Sequence, residues 1–544
     1  MGVMTVRRKV FVLALVLGVV ATACGGGSSS GGTKQQAQPE AKVDPNATIR
    51  IAANEDQWTV NGTGTKATHF AYVYNVNVYE PLIYLASDYT LKPGLATSWA
   101  LQPDGKTWRF TLRKGVTFHD GTPFTADDVV WTWGPRQADG KTLGTVANTL
   151  YPPNTTPDPA MAVKKVDDFT VDFTPVQPNL RLPEQIVHPE GAIVKKGTNN
   201  DTPPYAGTGP FKFVSYTEKQ SAVFERNDNY WGDKPQVKRM EIQFIPDPVA
   251  RLQALKSGQA DFVIDLPPDA TKSLQSDPNY RVVTSKPGRN HLIYVNITPG
   301  RITADKTIRE AISYSLDRQA YVNVVLEGNG DPGRWMAPES VLGSAAAQVA
   351  AIPRDLGRAR KLLDDAGWKA GPDGVRTKGD QRLHVILLGQ QEVPESALLV
   401  IQSSLKDAGI ETEIKKTPDV ATRNQLYANG KGDFDLDLEP PNQNDGNPAF
   451  LPVLRMYSKN ANTAQFAPGG QFDVEAEKSN AATTTADAQQ ASVNMMKILE
   501  NQEYIVDALA GAFRIYGMSK NVTFTDPHPS FTNQTWQSLA VTPK

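Results

Sequence analysis

The sequence predicts an α/β protein of more than one domain, its strands and helices grouped into two lobes with a hinged cleft between them. Three observations point there. At 544 residues the chain is too long for a single compact core. From about residue 240, short alternating strands take turns with amphipathic helices, which is the pattern of parallel-sheet units. That alternation forms two groups, and strands returning between such groups make a hinge.

The first 23 residues precede any fold. Arg7-Arg8-Lys9, an apolar run from Val10 to Val20, and Ala21-Thr22-Ala23 read as a secretory signal. Cys24 follows at once and is the only cysteine, so no internal disulfide and no cysteine-rich metal site can form. Small residues ahead of a lone cysteine resemble a bacterial lipobox, which would make Cys24 the lipid-carrying first residue of the mature chain. Removing residues 1–23 leaves 53 basic against 58 acidic residues, a net charge of about −5. No basic stripe or charge block argues for nucleic acid. Residues 24–47, opening Gly25-Gly26-Gly27-Ser28, are too polar and glycine-rich to order themselves and predict a flexible tether.

Folded structure begins near Thr48, where Ile49, Ile51 and Ala53 alternate as a strand. Asn61–Lys66 is loop, and His69–Tyr84 is rich in aromatics. Pro103-Asp104-Gly105 marks a turn. After it Trp108, Phe110 and Leu112 share one face of a strand, and Val116 and Phe118 lie on a second. Thr125 offers an N-cap, Asp127 and Asp128 suit the positive first turn, and Val129, Val130 and Trp133 form a helical face. Val166–Phe173 predicts one further alternating strand. Met240, Ile242 and Phe244 make a strand, followed by a helix capped at Asp247 and Pro248 with Val249, Leu252 and Leu255 as its stripe. Gly258 ends that helix and Asp261–Ile264 returns, completing a β–α–β unit. A helix over Ile308–Leu316, a helix Leu356–Ala366, a strand Leu383–Leu388, a helix from Leu398 to Ala408 and a strand Glu411–Ile414 continue the alternation.

Several segments share an ordered resemblance. Leu91-Lys-Pro-Gly-Leu-Ala-Thr-Ser-Trp99, then Asp104-Gly105 through Leu112-Arg113-Lys114-Gly115-Val116-Thr117-Phe118-His119-Asp120-Gly121, then Thr125-Ala126-Asp127-Asp128-Val129, is similar to the signature of the family 5 solute-binding proteins. Those are the oligopeptide-, dipeptide- and nickel-binding receptors of ABC importers. Gly207-Thr208-Gly209-Pro210, Asn227 through Pro235, and Asp433-Phe434-Asp435-Leu436 match later family segments. The resemblance implies a periplasmic-binding-protein type II-like fold with an extra α+β domain. Its expected parts are a discontinuous lobe I (48–85, 205–285 and 505–544), an inserted α+β domain II (86–204) and a lobe III (286–504).

No constellation for catalysis is visible. The six histidines, His69, His119, His188, His291, His384 and His528, make no metal-ligand spacing, and there is no G-x-S-x-G elbow. The chain is expected to be no enzyme and to need no cofactor or metal. Asp433, Asp435, Asp437 and Glu439 alternate and would share one face of a strand. Either that face is a solvated edge, or the strand ends after Leu436, or the acids face the cleft and attract a cationic group.

For the peptide-binding members, the resemblance implies a cleft aspartate ahead of a closing proline. Alignment on Pro448 puts Asn444 at that place, with Asp445 one step later and Asn442 nearby; the same three residues suit a simple turn. Trp58, Tyr72, Tyr74, Tyr294 and Trp335 are candidate cleft aromatics, and Asn296 occupies a family position suited to bonding a ligand backbone. The implied role is an extracytoplasmic, lipid-anchored monomer that captures a small solute, a peptide before an oligosaccharide, for an ABC permease. Nickel ranks last, and a scaffold or regulatory lipoprotein of the same fold is the alternative.

Overall fold

A computed structural model describes residues 43–53, 77–133, 163–175, 178–180, 182–187, 191–198, 206–217, 219–336, 347–390, 393–428, 432–443, 456, 465–482, 484–529 and 534–543. Cys24, Trp58, Tyr72, Tyr74, Asn444 and Asp445 lie outside them.

The predicted strand Thr48–Ala53 forms, with Ile49 and Ile51 buried. It is central in a seven-stranded sheet ordered Tyr280–Thr284, Ile515–Ser519, Phe262–Ile264, Thr48–Ala53, Arg239–Phe244, Ser221–Arg226 and Phe211–Thr217. Thr48–Ala53 runs parallel to both its neighbours, as the β–α–β reading requires. The helix of that unit, Pro248–Lys256, is capped by the Asp247 side chain, which accepts from the Ala250 N–H at 2.7 Å. Its stripe differs from expectation. Val249 is exposed, while Arg251 turns inward and donates to the Ile245, Pro246 and Asp265 carbonyls.

The signature segment builds a four-stranded antiparallel sheet, Ala96–Leu101, Trp108–Leu112, Thr170–Phe173 and Val163–Asp167. Phe110, Phe173 and Trp133 pack edge-on at 5.1 and 5.5 Å between ring centroids. Here 166–173 is two strands rather than one. Asp167 accepts from the Phe169 N–H at 2.8 Å and turns the chain, so period-two alternation continued across a hairpin and Val166 faces water. The predicted strand at Val116 and Phe118 is held by a lone bridge, Thr117 to Pro123, with both apolar side chains buried. Glu80 is wholly buried beside this sheet and accepts from Tyr84 (2.9 Å), Tyr230 (2.7 Å) and the Trp231 indole (2.8 Å). Burial pushes its carboxyl up, against the pull of those donors.

The second large sheet has six strands: Gly330–Pro332, Val506–Ala512, Arg289–Val295, Leu436–Gln443, His384–Gln390 and Glu411–Thr417. Its last three run parallel. Helices Lys306–Ser315 and Glu395–Asp407 cover one face through Ile308, Ile312, Leu398, Ile401 and Leu405. Val506–Ala512 lies in this sheet, and the chain re-enters the seven-stranded sheet at Ile515.

The chain thus passes between the large sheets twice, at 285–288 and 513–514. The crossings are tied to each other: Ser285 N–H donates to the Arg514 carbonyl (3.0 Å), and Arg514 N–H to Ser285 Oγ (3.1 Å). Gly288 is required there, since a Cβ would stand 2.2 Å from the Pro529 carbonyl oxygen.

Candidate functional site

Register places one end of the six-stranded sheet at the crossings. Arg289, the first residue after one crossing, pairs with Gln443 and Ala512. The carboxyl ends of Leu436–Gln443, His384–Gln390 and Glu411–Thr417 therefore lie where the chain leaves for the other large sheet. The carboxyl ends of Thr48–Ala53 and Phe262–Ile264 lie beside Tyr516, next to the same crossing. Crevices outside the carboxyl ends of parallel strands are where open α/β sheets bind ligands, because loops and unpaired backbone gather there.

Side chains can be assigned to a face from the pairing. Leu388 pairs with Asp437, and Gln390 with Thr417. Glu439 pairs with Leu292, and Asp437 with Tyr294. Since alternate residues share a face, Thr417, Gln390, Asp437 and Glu439 all project to one side. Those four are 4%, 2%, 0% and 6% exposed. Helix Val420–Ala428 lies against this part of the sheet and brings Arg423 and Tyr427. The Arg423 guanidinium donates to Asp437 and reaches Glu439 at 3.6 Å; the Tyr427 hydroxyl also donates to Asp437. Burial opposes the charge on Arg423, but Asp437 and Glu439 outweigh it and hold its pKa up. Burial pushes the Asp437 carboxyl up against the pull of Arg423. At the outer edge of the row, Gln390 Oε1 and Thr417 Oγ1 have no hydrogen-bond partner among the described residues.

The acidic run is thereby corrected. Leu436–Gln443 neither ends after Leu436 nor sits at an edge; it is paired on both sides, and of the four acids of the run, Asp435, Asp437 and Glu439 are buried. Like charges coexist on that face because arginines from neighbouring segments enter it. Pro440 and Pro441 fit the strand because its pairing with His384–Gln390 extends only to Leu438, and its pairing with Arg289–Val295 shifts register at that level.

The opposite end is different. Asp433 bonds Lys415 (2.7 Å) and Arg301 (3.0 Å), while Asp435 accepts from the Ile386 N–H (2.8 Å). A cavity of about 600 Å³ opens there, lined by Thr298, Arg301, His384, Asp433 and Asp435 among others. Its charged groups already satisfy one another.

The sequence candidates scatter over this frame. Asn442 pairs through its backbone with Asn290, whose amide donates to the Trp335 (3.1 Å) and Met336 (2.8 Å) carbonyls, so these two candidates are brought near each other. The Trp335 indole is buried and spends its N–H on the Val349 carbonyl. Tyr294 is buried against Phe466. Asn296 lies beyond the far end of its strand and is occupied by the Phe434 carbonyl and the Thr298 N–H. These three aromatic and amide side chains pack the fold rather than form one cluster. Gln390, Thr417 and Arg423 were not singled out by sequence; a glutamine closing the apolar run Val385–Leu388 is the one local sign. Among the described residues no group of three or more potential ligands could hold a metal.

A profile of the bacterial extracellular solute-binding proteins, family 5, matches residues 90–464. The chain belongs to this family. A relative, Protein XP55 of Streptomyces lividans, is 32% identical over 350 residues, covering 63% of this chain and 62% of its own length. The matched part thus spans less than two thirds of that relative. The oligopeptide-binding protein AppA of Bacillus subtilis is 27% identical over 442 residues, covering 75% and 76%. In fold, the chain is similar to NikA from Brucella suis in complex with Fe(III)-EDTA, with a TM-score of 0.79, 22% identity and coverage of 91% and 100%. The family's two-lobe fold is the fold of this chain, and no helix among the described residues is long and apolar enough to cross a membrane.

Proposed function

We propose that this family 5 protein is the solute-capturing component of an ABC importer, with a peptide as its solute. One observation carries the reading: buried polar side chains, two of their acceptors unmatched, gather at the carboxyl ends of parallel strands beside the two crossings. Such acceptors cost roughly 1–3 kcal/mol each when left unmet, and a bound solute offsets that. Gripping a solute from both large sheets would shift the chain to a closed form, with no bond made or broken. The likeness to an oligopeptide-binding relative favours a peptide over an oligosaccharide.

Asn442, Asn444, Asp445 and Trp58 belong to this proposal, since 444–445 follow the Leu436–Gln443 strand and Trp58 follows Thr48–Ala53 in sequence. Lipid on Cys24, the tether 24–47, the three-part domain division, a monomeric state and delivery to an ABC permease complete it. The test is mass spectrometry of small molecules released on denaturing protein purified natively. A peptide released in stoichiometric amount, and its restoring the melting temperature when added back, is the expected result. A protein that releases nothing and melts alike with every added solute would be a scaffold instead.

A further inference from the structure

We infer that Gln390 and Thr417, with Glu439 behind them, receive a cationic nitrogen of the solute: a protonated primary amine or a guanidinium. This rests on the solute-binding reading and names the chemistry of one subsite. Gln390 and Thr417 are paired residues on adjacent parallel strands, projecting to one face. Both are more than nine-tenths buried, and Gln390 Oε1 and Thr417 Oγ1 each have no partner among the described residues.

Adjacent strands stand about 4.8 Å apart, so one nitrogen carrying two or more N–H groups can reach both oxygens. A peptide N–H, with its single proton, can satisfy only one. The choice among such nitrogens follows from charge. Glu439 continues the same row on the next strand, and Asp437 lies behind it. Carboxylates in a low-dielectric setting favour a positive nitrogen over a neutral amide. Arg423 fixes both carboxylates from the helix side, which leaves the row pre-formed rather than ordered on binding.

The test uses the full chain, its retained solute removed by unfolding and refolding, and isothermal titration with three peptides. These are trialanine, N-acetyl-Ala-Lys-Ala-amide, and N-acetyl-trialanine-amide, which carries no cation. The two charged peptides are expected to bind about tenfold or more tightly than the neutral one, as charge-assisted bonds require. In Q390M/T417V that preference is expected to vanish, the charged peptides losing more affinity than the neutral one. Without solute the variant is expected to melt at the wild-type temperature or above, since two unmet acceptors are gone; single variants Q390M and T417V keep the test open should the double variant misfold. Equal binding of charged and neutral peptides overturns the inference, as does a preference that survives the substitutions or a failure of all three to bind. The solute-capture reading itself stands or falls separately, on what the natively purified protein releases.

Discussion

Two ends of one stretch, Asp433–Glu439, solve the same electrostatic problem differently. At the amino end, Asp433 and Asp435 meet Arg301, Lys415, Thr303 and a backbone N–H, and Asp433 is bathed in solvent. At the carboxyl end Asp437 and Glu439 are both buried, one guanidinium spans them, and neutral acceptors beyond them have no partner among the described residues. A cavity of about 600 Å³ opens at the amino end, but its groups are spent on each other. On the proposed solute-capture reading, unmet hydrogen-bonding capacity rather than the size of a hollow marks the solute's place.

If that contrast is right, removing the guanidinium at each end should have unequal results. R423M strands buried carboxylates and is expected to cost about 3–5 kcal/mol. R301M leaves Lys415 on exposed Asp433, and the Ile386 N–H and Thr303 hydroxyl on buried Asp435, and is expected to cost about 1 kcal/mol. Urea unfolding of both variants checks this, and similar losses would erase the distinction.

A third buried acid sharpens it. Glu500 sits on a π-helical turn, Lys497–Gln502, where its carboxylate accepts from the Met336 N–H at 2.9 Å. Burial pushes its pKa up to about 8, against the pull of that N–H, and the charge of Asp507 adds to the rise. Because the folded value lies above the unfolded one, its contribution to stability is full below pH about 4.5 and is lost as the pH rises to about 8. Across that window wild type should lose up to about 1.4 kcal/mol per pH unit relative to E500Q, read from denaturant midpoints. Parallel profiles for the two proteins would show that Glu500 does not titrate there.

The smallest effect belongs to the surface. K415A removes a bond to exposed Asp433 and should change stability by less than about 1 kcal/mol, and by less still at high salt. A larger loss would mean that the amino end is tuned as tightly as the carboxyl end.

What could be read from the chain alone follows from range. Trp108, Phe110 and Leu112 announced their strand because period two is local, and Asp247-Pro248 announced a helix start for the same reason. The hairpin at Asp167 was hidden because alternation happened to persist across it. Gln390, Thr417 and Glu439 could each be placed on a strand, but their common row depends on pairings between segments 27 and 49 residues apart, which no local pattern encodes. Asp437 and Glu439 suggested a wet edge because their neutraliser, Arg423, arrives on a separate helix. The family signature foretold the fold, and it lies in the four-stranded sheet and its helix, away from the carboxyl-end row.

Amide hydrogen exchange, before and after adding back the solute recovered from the native protein, tests the central claim most directly. The account predicts slowed exchange at 385–390 and 412–417 and no change at 298–302 and 432–435. Protection at the amino end instead, or at neither end, would contradict it.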